Sequence, residues 1–290
     1  MAASGTTEQM ATAEQTFEVP TVHIEPPEGR IGLDLKPVWE YRQLLFFLTW
    51  RDLKVRYKQT LLGASWAILQ PLLATIVFTI FFGRVAHLKS EGVPYMIFAF
   101  CGTLPWTYFS NAMTTGSNSL VNAAAMITKV YFPRIALPIS AVFGAAFDFF
   151  CAAILIIPMM AYFEVTPTWR LVTLPLFFLL TTGTALGISI FLSAVNVRYR
   201  DVKYVIPFLT QIWLFATPVV YAATGLSQPW KTLYGLNPMV GVVNGFRWSI
   251  LDAGTAPGWT TVASIGTTLV LLLIGAMYLR RVDQSMADVI

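Results

Sequence analysis

The chain alternates between long apolar runs and short polar segments. Six runs reach the ~20 mainly apolar residues that a membrane-crossing helix needs. They lie at approximately Leu62–Phe82, Tyr95–Thr115, Ile139–Phe163, Leu171–Val195, Tyr204–Ala222 and Thr260–Leu279, each bounded by charge, proline or glycine. This pattern predicts an all-α integral membrane protein with six transmembrane helices.

Two further segments are apolar but too short to span. In Val38–Lys58 the run Leu44–Trp50 is followed by Arg51, Lys54, Arg56 and Lys58. Trp39, Tyr41 and Trp50 suit the headgroup region, so residues 37–61 are expected to form an amphipathic helix along the cytoplasmic interface. A soluble linker helix fits worse, because it would turn many large apolar side chains to water. The second segment, Ser227–Leu251, is divided by Pro238, which disrupts a helix interior. Two short re-entrant helices sheltered by protein fit this pattern. Two helices lying flat on the outer surface fit it equally.

Charge sets the orientation. With the N-terminus inside, Arg51, Lys54, Arg56, Lys58, Lys129, Arg134, Arg198, Arg200, Lys203, Arg280 and Arg281 fall on the cytoplasmic side. Arg84, Lys89, Arg170, Lys231 and Arg247 fall outside. The excess of basic residues inside places both termini in the cytoplasm. Residues 1–36 are polar and proline-containing, without the basic start and apolar centre of a signal peptide, and read as a disordered tail. The membrane domain then covers 62–283, and 284–290 form a cytoplasmic C-terminus.

Composition agrees: 56% of the 290 residues are hydrophobic and only 12% are charged, about half the ~25% of a soluble domain. The net charge of +4 is spread over short loops, with no basic domain for nucleic acid. Cys101 and Cys151 lie in apolar runs and read as small buried hydrophobes. No cluster has metal-ligand spacing. There is no G-x-x-x-x-G-K-[ST] phosphate loop and no hydrolase or metalloprotease motif, which argues against a membrane enzyme.

Asp148 is the one acid well inside a span. A charge there costs at least ~2.5–3.5 kcal/mol on insertion scales, so it must face protein, pair or be neutral. One acid makes a poor proton relay, which weakens a secondary-transporter or channel reading and favours a polar tie between helices. Aromatic residues crowd the first, second and fifth spans, and Trp66, Trp106, Tyr108, Phe109, Trp213 and Phe215 are candidates to line a path for sugar rings. Most such rings would otherwise face lipid. The second span also carries Ser110, Asn111, Thr114, Thr115, Ser117, Asn118 and Asn122, suited to interhelical hydrogen bonds or a hydrated route.

Five stretches then carry a resemblance. They are Arg51–Gly63 with Trp66 and Gln70-Pro71, Gly102–Trp106, Lys129–Arg134, Asn196–Val202, and Leu236–Met239 with Gly245-Phe246-Arg247. In this order the chain, over roughly 38–283, resembles ABC-2 type permeases of the polysaccharide-export group, which move O-antigen, teichoic acid or capsule glycans. The resemblance implies a homodimer paired with two copies of a separate ATPase chain that binds ATP and Mg. It also implies an undecaprenyl-diphosphate-linked glycan as substrate, in the bacterial inner membrane, with O-antigen the leading choice.

By the same resemblance, Arg51, Lys54, Arg56 and Lys58 would guard the cytoplasmic entrance and meet the diphosphate. Lys129, Tyr131, Phe132, Pro133 and Arg134 would couple to the ATPase. Trp230, Tyr234, Asn237, Pro238, Phe246 and Arg247 would belong to the outer gate helices. This chain itself would carry no cofactor.

Overall fold

The computed structural model describes residues 39–58, 60, 62–222, 233–253 and 256–283. The tail 1–36, the C-terminal 284–290 and the expected gate residue Trp230 lie outside the described residues. Every regular element among the described residues is helical. In chain order these are α1 (Arg42–Tyr57), α2 (Ser65–Phe78, continued by a π-helical turn Thr79–Val85), α3 (Tyr95–Asn122), α4 (Ala124–Ile127), α5 (Ala136–Ala153) and α6 (Ile156–Tyr162). A 3₁₀ turn (Trp169–Thr173) leads into α7 (Leu174–Arg198), followed by α8 (Val202–Phe215), α9 (Pro238–Leu251) and α10 (Trp259–Asp283).

Four helical stretches are long and apolar enough to cross a membrane: Ser65–Val85, Ala136–Tyr162, Trp169–Arg198 and Trp259–Asp283. The second of these is interrupted at Ile154–Leu155, between α5 and α6. The helix α3, 28 residues long, is the central element and packs against α2, α5, α7 and α9. Its Ser, Thr and Asn residues are accommodated because most hydroxyls bond a carbonyl one turn back, as Ser117 does to Met113 at 2.5 Å and Thr115 to Asn111 at 2.7 Å. Between helices, the Asn196 amide donates to the Ser117 carbonyl and to Asn118 Oδ1, each at 3.1 Å.

The fifth expected span is shorter than its apolar run. The helix α8 has 14 residues, about 21 Å, against a hydrocarbon core of ~30 Å. It stops at Phe215, and residues 216–222 continue as irregular chain with Thr217, Pro218, Val219 and Val220 buried. Pro218 cannot donate a helical hydrogen bond, which helps end the helix there. Pro218 is the sequence's sign of the stop, but the apolar run continues past it, since buried coil and buried helix have the same composition.

The segment expected to lie along the interface packs lengthwise on α5. The Thr49 hydroxyl reaches the Ser140 carbonyl at 3.5 Å, and Arg56 meets Asp148. Seven residues on α1 thus match eight on α5, so the two helices run side by side in the same direction. Leu48 is buried in a cluster with Leu120, Leu137, Ile190 and Leu279, whereas Phe46, Phe47 and Trp50 are exposed. A helix apolar on both sides is suited to lipid on its outer face.

Candidate functional site

A cavity of about 380 Å³ opens where the end of α1 meets α2, α3 and α5. Its wall combines Trp66, Tyr108 and Phe149 with the neutral polar groups of Thr60, Gln70, Asn111 and Thr115. Asn111 and Thr115 stand one turn apart on α3, so they share a face. Gln70 and Trp66 do the same on α2. The Tyr108 hydroxyl is held by Thr182 at 3.0 Å, and its ring stacks on Phe178. This leaves a rigid aromatic surface beside groups that can form hydrogen bonds.

One end of the cavity carries its two charges. Arg56, in the last turn of α1, donates from Nη1 to Asp148 Oδ2 at 2.5 Å. The Tyr57 hydroxyl donates to Asp148 Oδ1. Both carboxylate oxygens are therefore engaged, which satisfies the requirement that a low-dielectric acid be paired. Burial, then the hydrogen bond to Asp148, push the Tyr57 hydroxyl above its ordinary pKa, so it remains a donor at physiological pH. Asp148 is thus the tie between helices that its position suggested, with its partners 92 and 91 residues away.

The remaining basic residues of α1 differ. Arg51 is bound to Asp52 at 2.8 Å, while Lys54 and Lys58 are exposed. Of the six expected path aromatics, only Trp66 and Tyr108 line the cavity. Trp106 and Phe109 are buried in the core, Trp213 packs edge-on against Phe109, and Phe215 is exposed. Tyr57, Thr60, Gln70 and Thr115 complete the site. Tyr57 and Thr60 belong to the stretch Arg51–Gly63, Gln70 follows it, and Thr115 is on the polar face of the second span, but nothing in the sequence points Tyr57 at Asp148.

In the loop after α4, Lys129 and Tyr131 are exposed, with Phe132 turned inward and buried. Pro133 is half-buried, and Arg134 bridges to the Asp283 carboxylate at the end of α10 at 2.8 Å.

Around Pro238 the structure corrects the sequence reading of Arg247 as an outer-loop charge. It is 2% exposed. Its guanidinium donates to the carbonyls of Pro218 at 2.6 Å and Val219 at 2.7 Å, more weakly to Tyr221 and Phe98, and lies 3.6 Å from the Phe98 ring centroid. Pro218, Val219 and Tyr221 lie in the irregular chain after α8, and Phe98 lies in α3. Asn237 caps α9 by accepting from the Met239 amide at 3.1 Å. It also accepts from the Trp213 indole and donates to the Ala216 carbonyl and Thr217 hydroxyl. Gly102 lets α3 approach this knot, since a Cβ there would stand 2.4 Å from the Val219 oxygen. Tyr234 pairs with the Tyr221 hydroxyl, and Phe246 packs edge-on against Phe149. The first half of the expected gate pair lies mostly outside the described residues, with only a helical turn at 233–235.

A helical membrane chain with a charged pocket beside its first long helix and a polar knot closing a broken one is a transport subunit in form. The chain belongs to the ABC-2 type transporter family, which matches residues 43–251. It is 30% identical over 244 residues to the O-antigen export system permease protein RfbA of Myxococcus xanthus, covering 83% of this chain and 93% of that protein. It is 25% identical to the protein of the same name from Klebsiella pneumoniae, covering 85% of this chain and 95% of the relative. The polysialic acid transport protein KpsM of Escherichia coli is 24% identical, with 81% and 92% covered.

Proposed function

We propose that this chain is the membrane subunit of an ATP-driven exporter that carries a polysaccharide of the O-antigen type across the bacterial inner membrane. The glycan moves outward on undecaprenyl diphosphate. Two copies of the chain form the pathway, and two copies of a separate ATPase bind ATP and magnesium. In this reading α2, α3, α5 with α6, α7, α8 with the coil after it, and α10 make six crossings. The termini face the cytoplasm, and the segment around Pro238 forms the outer gate. Lys129 and Tyr131 are the exposed groups offered to the ATPase.

The observation that carries this reading is the mixed wall of the cavity. Indole and phenol faces suit the C–H faces of sugars, while the amides and hydroxyls exchange hydrogen bonds with sugar hydroxyls. Arg56 sits at one end, where a phosphate group would need a planar cationic partner. One positive and one negative side chain leave the wall without net charge, which suits a neutral glycan better than the polyanion named for the Escherichia coli relative.

Deleting the gene in its host tests the proposal. Surface polysaccharide should disappear, its lipid-linked form should accumulate on the cytoplasmic face, and native mass spectrometry of the gently purified chain should find two copies with two ATPases. Unchanged surface glycan, together with assemblies that never contain an ATPase, would remove this function.

A further inference from the structure

The ion pair at the cavity end has a consequence for how an anionic ligand enters, one that rests on the export reading above. We propose that Asp148 is a built-in competitor for the substrate's diphosphate: it occupies the donors of Arg56 and Tyr57, and an incoming diphosphate binds by displacing it.

Three observations support this. Arg56, Tyr57 and Asp148 all line the same cavity, so a ligand inside it meets the pair directly. Arg56 and Asp148 are the only charged residues in its lining, so separating them leaves the Arg56 guanidinium and the Tyr57 hydroxyl free to donate to a ligand there. Finally, the Asp148 carboxylate takes one donor on each oxygen, an arrangement that two phosphate oxygens can also adopt.

The competition sets a threshold. A carboxylate held on the neighbouring helix has an entropic advantage over any free anion. A ligand must therefore offer more charge and more acceptors than the carboxylate it replaces. A diphosphate does so and a monophosphate does so less well, so the diphosphate displaces Asp148 more readily. Because the same pair fastens the end of α1 to α5, displacement also frees that end of the helix. Ligand recognition and release of α1 then become one event.

The test uses the full chain in phosphatidylcholine nanodiscs, with undecaprenyl diphosphate and undecaprenyl monophosphate as probes in equilibrium binding. Asp148→Asn should bind the diphosphate about tenfold more tightly, because a like charge has been removed from the site. The monophosphate, which carries less charge, should gain less. Arg56→Gln should weaken binding, and adding Asp148→Asn to it should restore little, since the released donor is absent. Asp148→Ser, whose hydroxyl can bond its own helix, supplies the same comparison should the asparagine variant not fold.

Weaker or unchanged binding in both Asp148 variants, with Arg56→Gln still impaired, would overturn the proposal and make Asp148 a group that merely positions Arg56. Glycan export by the wild-type chain in its host separates the two levels. Export with no gain in the Asp148 variants defeats the competitor alone, and absence of export defeats the functional reading as well.

Discussion

Replacing Arg247 by Met should loosen the coil after α8 without unfolding the rest of the bundle. Methionine fills a comparable apolar volume but supplies no donors. Two close hydrogen bonds, to Pro218 and Val219, disappear, and their carbonyls are left without those donors in a buried site. An orphaned buried acceptor costs ~1–3 kcal/mol, so the pair costs about 2–6 kcal/mol. Removing a desolvated charge offsets part of this. At ~2–4 °C per kcal/mol for a domain of this size, the melting temperature should fall by about 5 °C or more. Cys101 supplies a local reporter, because it is fully buried beside this knot while the partly exposed Cys151 can be removed by Cys151→Ala. In that background, Arg247→Met should make Cys101 react with a maleimide well before the global transition, whereas Arg247→Lys should show a smaller effect. A melting temperature within a degree of the parent, with Cys101 still protected, would refute the assignment of Arg247 as the clamp of the broken helix.

Asn237→Ala removes a helix cap worth ~1 kcal/mol and also strips partners from the Trp213 indole and the Ala216 carbonyl. Thermal unfolding should show a loss exceeding that of the cap alone, about 2–4 kcal/mol in total, and a purely cap-sized loss would show that the other bonds contribute nothing. Gly245→Ala would bring a Cβ within 2.2 Å of the Phe177 ring, so the variant should lose at least ~1–3 kcal/mol by overpacking. Phe177→Leu should recover part of that stability in the double variant; simple additivity of the two losses would argue against a direct clash.

Much of the architecture was legible because apolar run length is decided by the lipid rather than by tertiary contacts. The positions of α2, α3, α7 and α10 follow the runs to within several residues, and Pro238 marks the start of α9. The cavity was legible only in part. Aromatic character marks Trp66 and Tyr108, but it marks Trp106 and Phe109 equally, and the bundle buries those two in its core. Ring chemistry does not encode which way a helix faces. Arg247 shows a sharper limit: a charge count assigns every arginine to water, whereas this one is solvated by carbonyls of α3 and of the irregular chain after α8. The lengthwise packing of α1 on α5 was hidden for a related reason, since it depends on Arg56 meeting an acid 92 residues along the chain.

The position of Arg247 relative to its acceptors also bears on biogenesis. Phe98, Pro218, Val219 and Tyr221 all precede it in the chain, so each has left the ribosome before the arginine does. The guanidinium therefore finds a complete set of acceptors as soon as α9 enters, without waiting for α10. Arg247 can thus serve as a late rivet in synthesis, closing the earlier helices before the last one is added.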